Sequence, residues 1–198
     1  MARRVFSTDA ILDAAREVVV DRGPRAATVE AIAKAAGVPV GSIYHRFSSI
    51  DELLARVWLR AVRASQQAAL AVPAEAEDTL GDAEAVALAM YDHSLANPSD
   101  TLLLDALSRA ELTAHASAEL RRELESVNDE IERRMARFAR SVLGRADARA
   151  RNLVVLALVD LPHGFAHREL SSGRPTPARR ERLPAAVRAV LEADPPPD

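Results

Sequence analysis

Apolar residues recur at helical spacing along most of the chain. Ile11, Leu12, Ala15, Val18 and Val19 share one face, with Asp13, Arg16 and Glu17 opposite, which predicts a helix from about Thr8 to Asp21 stopped by Gly23-Pro24. Thr28 reads as an N-cap for a second stripe, Val29, Ile32, Ala33 and Ala36, which Gly37 closes. A short third helix is predicted over Pro39 to Phe47, since proline is tolerated in a first turn whose N–H has no partner anyway. Ser49-Ile50-Asp51-Glu52 has the pattern of a capping box for a fourth helix reaching about Val72, with Leu53, Leu54, Val57, Trp58 and Ala61 on its apolar face.

Further helices are predicted near Asp82–Ala96 and Ser99–Thr113. The clearest periodicity spans Ala116–Leu143, where Leu120, Leu124, Val127, Ile131, Met135, Phe138 and Val142 step by threes and fours. Between Asp147 and Leu170 the pattern changes: Leu153 to Leu161 is apolar on all sides save Asp160, as expected of a helix buried all round, by its own core and by a partner subunit. A last helix ends near Ala193. The fold class is therefore all-α, an N-terminal three-helix unit over 1–48, a helical domain over 49–194 and a frayed tail over 195–198.

Composition agrees: 48% of the 198 residues are hydrophobic, only 4% aromatic, and no run alternates with period two. Cysteine is absent, which excludes disulfides, thiolate metal sites and thiol catalysis. The longest apolar run, Leu153 to Val159, is far short of the roughly 20 residues that span a bilayer, and no apolar stretch follows Arg3 and Arg4, so a cytoplasmic protein without membrane contact is expected. The net charge is −3, unevenly distributed: residues 1–48 balance to +2 and the remainder to −5. A basic head on an acidic body suits a chain that meets phosphate at one end.

Two short helices joined at Gly37-Val38 have helix-turn-helix spacing, in which the second helix lies in the DNA major groove. Projected at about 100° per residue, Ile43 and Phe47 face inward while Gly41, Ser42 and His45 face outward. Gly41 leaves room for close approach, and Ser42 and His45 have groups that bond base edges or phosphates. Tyr44 and Arg46 flank this face, where a phosphodiester strand would run. Val40 projects nearer the core.

The stretches "IL-AA" at Ile11 to Ala15, "TVEAIAKAAGV" and "IYHRFSSIDEL" resemble the N-terminal domain of TetR-family transcriptional regulators, over about Arg4 to Leu54. The resemblance implies a three-helix DNA-binding domain followed by a helical ligand-binding and dimerising domain. By position it implies phosphate contacts at Thr28, Tyr44 and Arg46, base reading at Val40, Gly41, Ser42 and His45, and a flexible arm at Arg3 and Arg4. Three positions depart from the family pattern: Ile50 stands where a phosphate-binding lysine is frequent, Arg46 where histidine is common, and Pro39 where a capping serine is usual.

The implied partners are a double-stranded DNA operator, an unidentified small-molecule effector and a second copy of the chain, paired through the last two helices. Candidate pocket residues are Trp58, Met90, Tyr91, Leu103, Leu107, Phe138 and Phe165, with Asp160 as a polar anchor; each is equally well placed to be core. His163 and His167 have i,i+4 metal-ligand spacing, but no fourth ligand is evident, and neither metal nor cofactor is expected. Two rivals stay open: a helical small-molecule-binding protein or enzyme without DNA binding, and a helical adaptor. Against an enzyme, the sequence has no glycine-rich phosphate loop and no glycine-flanked serine nucleophile. One lysine among 26 basic residues points to a GC-rich bacterial genome.

Overall fold

The Ser7 hydroxyl accepts the Ala10 N–H at 3.1 Å and starts α1 (Thr8–Arg22), whose buried face is Ile11, Leu12, Ala15, Val18 and Val19, the stripe read from the sequence. The computed structural model describes residues 7–73, 78–173 and 176–193, and among these the secondary structure is helical with no strand. Arg3, Arg4 and the tail at 195–198 lie outside the described residues. After a 3-10 turn at Pro24–Ala26 come α2 (Val29–Ala36), α3 (Val40–Tyr44) and α4 (Ile50–Leu70). Then follow α5 (Leu80–Ala96), α6 (Pro98–Ala106), α7 (Arg109–His115), α8 (Ala118–Ser126) and α9 (Asp129–Leu143). The chain ends with α10 (Ala148–Val155), α11 (Leu161–Ser172) and α12 (Pro177–Glu192).

Packing divides the chain into two compact units, residues 1–63 with 99–127 and residues 64–98 with 128–198. The first is thus larger than the 1–48 domain expected from the sequence. Its core explains why: Leu53, Val57 and Trp58 of α4, Leu103 of α6, and Leu120 and Leu124 of α8 share one apolar cluster with Ile11, Val19, Ile32, Ile43 and Phe47. Around that cluster, Arg60 Nη2 donates to Asp13 at 2.7 Å, Arg16 Nη1 donates to Asp100 at 2.9 Å, and Arg56 and Arg63 share Glu123. These pairs are partly exposed and contribute at most about 1 kcal/mol each, so apolar burial decides the packing.

In the second unit, α5 packs on α11 and α12 and α10 packs on α9, around Val86, Tyr91, Phe138, Leu158, Leu183 and Val187. A capping box starts α5: the Asp82 N–H donates to the Thr79 hydroxyl oxygen, and the Asp82 carboxylate accepts the Thr79 N–H.

Three expectations need correction. The stripe from Ala116 to Leu143 is two helices, α8 and α9, parted at Val127-Asn128. Asn128 has φ −92 and ψ −6, its side-chain oxygen accepts from Gln66 Nε2 at 2.9 Å, and its carbonyl accepts the Glu132 N–H, so it ends one helix and begins the next. Leu120 and Leu124 serve the first core, and Ile131, Met135 and Phe138 the second. The expected helix over Ser99–Thr113 is likewise α6 and α7.

The helix expected through Leu153–Leu161 is interrupted by a π turn, and within one chain it is buried on one side only. Val154, Ala157 and Leu158 are buried, but Val155 and Leu156 are 37% and 41% exposed. Here Leu156–Asp160 is a π-helical turn between α10 and α11, with the Leu161 N–H bonded to the Leu156 carbonyl. Pro162 is the physical cause: it has no N–H for the carbonyl four residues back, and its ring crowds that carbonyl, so the helix widens by one residue before it.

Candidate nucleic-acid interface

The turn before α3 is built by Gly37, whose left-handed φ of 65 a side chain resists. It lets the Val38 N–H reach back to the Ala33 carbonyl at 3.0 Å, closing α2 and aiming the chain toward Pro39. The third helix is shorter than the predicted Pro39–Phe47. Pro39 sits extended at its cap position with no side-chain cap, the Ser42 N–H bonds the Pro39 carbonyl at 2.8 Å, and regular helix ends at Tyr44. Ile43 and Phe47 anchor this segment in the core, at 1% and 4% exposure.

Those anchors fix what faces outward. Tyr44 is 55% exposed, Gly41 and His45 are exposed, and Ser42 and Arg46 are half-buried. Val40 is 36% exposed, outside the core toward which it projects from sequence, because it is the first helical residue and no preceding turn covers it. Arg46 Nη1 donates to the Ser42 carbonyl at 2.9 Å, which holds the guanidinium against the end of α3. Thr28 is exposed at the start of α2, its hydroxyl accepting the Ala31 N–H at 3.2 Å to cap that helix. Every described DNA-contact candidate is therefore accessible or half-accessible, and Thr28 and Arg46 are held in place by bonds to the backbone.

A Cβ at Gly41 would meet nothing within 4 Å. The fold does not need this glycine. Gly41→Ala is expected to leave the melting temperature unchanged or raise it, with a gain of at most about 1 kcal/mol, measured by thermal unfolding.

The start of α4 borders the interface. The Glu52 N–H donates to the Ser49 hydroxyl at 3.1 Å, as a capping box requires. The Glu52 carboxylate returns not to Ser49 but to Ser48, accepting its hydroxyl at 2.7 Å and its N–H at 2.8 Å. The Ser48 bonds, with Arg56 nearby, hold the Glu52 carboxyl below its ordinary value near 4.5. A folded-state pKa below the unfolded one gives stability that is present above the unfolded value and lost as pH falls through the folded value. Glu52→Gln is therefore expected to cost stability at neutral pH, and its difference from the parent to shrink below about pH 4.5, in denaturant titrations across pH. Ile50, where a phosphate-binding lysine is frequent, packs on the apolar core instead.

The candidate pocket residues divide between the two units. Trp58, Leu103 and Leu107 belong to the first core. Tyr91 and Phe138 are fully buried in the second, with Met90 and Phe165 packed against it, while Asp160 is exposed. The His163 and His167 rings lie 6.3 Å apart, and among the described residues no group of three or more His, Cys, Asp or Glu side chains is placed to hold a metal ion. No described helix is long and apolar enough to cross a membrane.

Sequence reading missed three buried charged side chains in the second unit. Glu169 accepts the Thr176 N–H at 3.0 Å and bonds the Tyr91 hydroxyl; burial first, and then this carboxylate, push the Tyr91 pKa up to about 12. Arg134 and Asp78 are 2% and 4% exposed. The signal for Arg134 was there, a charge within the apolar stripe Ile131, Met135 and Phe138; for Asp78 and Glu169 there was none.

Comparison with known proteins agrees with this geometry. Residues 11–57 match the model of the bacterial regulatory proteins of the tetR family. No curated protein sequence matches the chain. In fold, it is similar to a TetR-like transcriptional regulator from Rhodococcus sp. RHA1, at 16% identity and a TM-score of 0.72 over 98% of this chain and 100% of that one. It is also similar to a TetR family transcription regulator from Marinobacter aquaeolei VT8, at 19% identity and a TM-score of 0.74 over 94% of each chain. A third, described as a putative tetR family transcription regulator from Shewanella sp. PV-4, matches at 20% identity and a TM-score of 0.72 over 93% of this chain and 95% of that one. Such identities speak for the fold alone, and the family match is confined to residues 11–57, within α1 to α4. Residues 11–57 thus match a tetR-family N-terminal domain, and the chain that carries them has a TetR-like fold.

Proposed function

We propose that the chain acts as a homodimeric repressor in the cytoplasm, holding a palindromic operator until a small-molecule effector releases it. The observation that carries this reading is the outward face of α3, where Tyr44 and His45 stand exposed on a segment pinned by buried Ile43 and Phe47. Val40, Gly41, Ser42 and His45 read bases, with the Val40 methyls suited to a thymine methyl. Thr28, Tyr44 and Arg46 hold phosphates, and Arg3 and Arg4 add a basic arm. In a dimer, two such faces about 34–36 Å apart enter successive major grooves.

The dimer reading is supported by exposed Val155 and Leu156, two consecutive large apolar side chains where α10 meets the π turn. In functional terms, residues 1–48 read DNA and residues 49–194 provide pairing and effector binding. The effector acts by binding one of two states better than the other, shifting the population away from the spacing that fits the operator.

Leu156→Glu tests the pairing. The exposed position tolerates the charge in a lone chain, and a second copy does not. Sedimentation should show a folded monomer whose operator affinity falls by at least about a hundredfold, because the two half-sites no longer act together. A variant that stays dimeric and binds normally would place the pairing surface elsewhere.

A further inference from the structure

Arg134 lies on the buried stripe of α9, with its side chain 3% exposed. Its Nη1 donates to the Ala69 carbonyl at 2.7 Å, and the guanidinium sits over the Phe138 ring, 5.5 Å from the centroid. The other edge is different: Nε and Nη2 are buried and have no hydrogen-bond partner. These two atoms form the side-on fork of a guanidinium, two parallel N–H groups that fit the two oxygens of one carboxylate.

The nearest carboxylate, Asp78, does not fill that fork. Its side chain is 1% exposed, its closest oxygen is 3.9 Å from Nη2, and neither oxygen makes a hydrogen bond. A charge-assisted bond needs about 2.7–2.9 Å, so Asp78 supplies charge to Arg134 but none of the hydrogen bonds. Four buried polar atoms left in this way are costly. Asp78 also has a second cation: Arg137 Nε is 3.5 Å from Oδ2, on a side chain that is half exposed.

We propose that the Nε/Nη2 edge of Arg134 is the anchor for the carboxylate of a small apolar monocarboxylic acid, with Asp78 as the internal competitor that such a ligand displaces toward Arg137. The ligand class follows from the surroundings. The fork takes one planar anion, and Ala69 and Phe138, which touch the guanidinium, both belong to the apolar core of this unit. This deepens the effector reading above and rests on it: it names the class of molecule that the second unit takes.

The test uses the full chain without DNA, by calorimetry and thermal shift, with benzoate and octanoate as probes and benzyl alcohol and octanol as matched neutral controls. Each acid should bind saturably and at least about tenfold more tightly than its alcohol, since only the carboxylate fills the fork. Asp78→Asn, which removes the competing charge, should tighten the acids and leave the alcohols unchanged. Arg134→Met should erase the preference for acid over alcohol. If Arg134→Met does not fold, the parent and Asp78→Asn decide the matter alone. Acids binding no better than alcohols in both of these proteins overturns the proposal, and so does a preference that survives in folded Arg134→Met. A second titration, of operator-bound protein, separates this from the effector reading. Acids that bind the free chain but leave DNA in place uphold the anchor and count against its role as effector site. Release of DNA by other compounds, with no binding of acids, does the reverse.

Discussion

Changing Tyr44 and Arg46 together to alanine is expected to abolish specific operator binding while leaving the protein folded. Tyr44 is 55% exposed and neither residue belongs to the buried apolar core, so little core packing is lost. The effect on DNA is large because each change occurs twice in a dimer. Removing one phosphate contact lowers the salt slope of log K by about 0.9, so Arg46→Ala alone should flatten it by roughly 2 in a dimer–operator complex. For the double change, affinity should fall by at least about a hundredfold at moderate salt. The loss should be similar for operators of different sequence, since phosphate contacts position the protein and do not read bases. Fluorescence anisotropy at several salt concentrations measures both quantities, and circular dichroism confirms that the helices remain. A His45 change should behave differently, altering preference among operators more than the salt slope.

The second large effect is on stability. Ile43 is 1% exposed in the core shared by α1, α2 and α4, and it sets which face of α3 points outward. Ile43→Ala removes buried methyl groups and leaves a cavity, an expected cost of about 2–5 kcal/mol. That is a large share of the roughly 5–15 kcal/mol by which folded domains are stable. DNA binding should therefore be lost together with the fold, and urea unfolding followed by tryptophan fluorescence reports it, since Trp58 belongs to the same core. The pair of experiments separates the two faces of one short helix: Tyr44 and Arg46 change binding at nearly constant stability, Ile43 changes binding through stability.

Much of this was legible in the sequence where one helix serves one core. The stripes at Ile11–Val19 and Val29–Ala36 appear as written, because their spacing, caps and stop signals agree. The helix-turn-helix was legible for the same reason, with Gly37 placed where only a left-handed residue fits. The break at Asn128 was not, because Val127 and Ile131 keep the apolar spacing across a turn that divides two cores. The π turn before Pro162 and the outward Val155 and Leu156 were hidden likewise, since an all-apolar run has no period from which to read a face. Trp58, Leu103 and Phe138 show the limit for pockets: helical spacing places a side chain inward and does not say whether it meets a ligand or a neighbour. Arg134 shows the opposite failure: its spacing puts it within the stripe Ile131, Met135 and Phe138, and a reading by residue type passes over a charge that lies 2% exposed.

In the function proposed above, the outward face of α3 reads a particular DNA sequence. The most direct measurement is selection of binding sites from a random duplex library with the purified chain, followed by anisotropy titration of the enriched sequence against unrelated DNA at several salt concentrations. The account predicts a palindrome with half-site centres about one helical turn, or a multiple of it, apart. Its affinity should exceed that for unrelated DNA by at least about a thousandfold, and that preference should be altered by a His45 change, which removes a base contact. Enrichment of no sequence, with weak binding that vanishes as salt is raised, would contradict it.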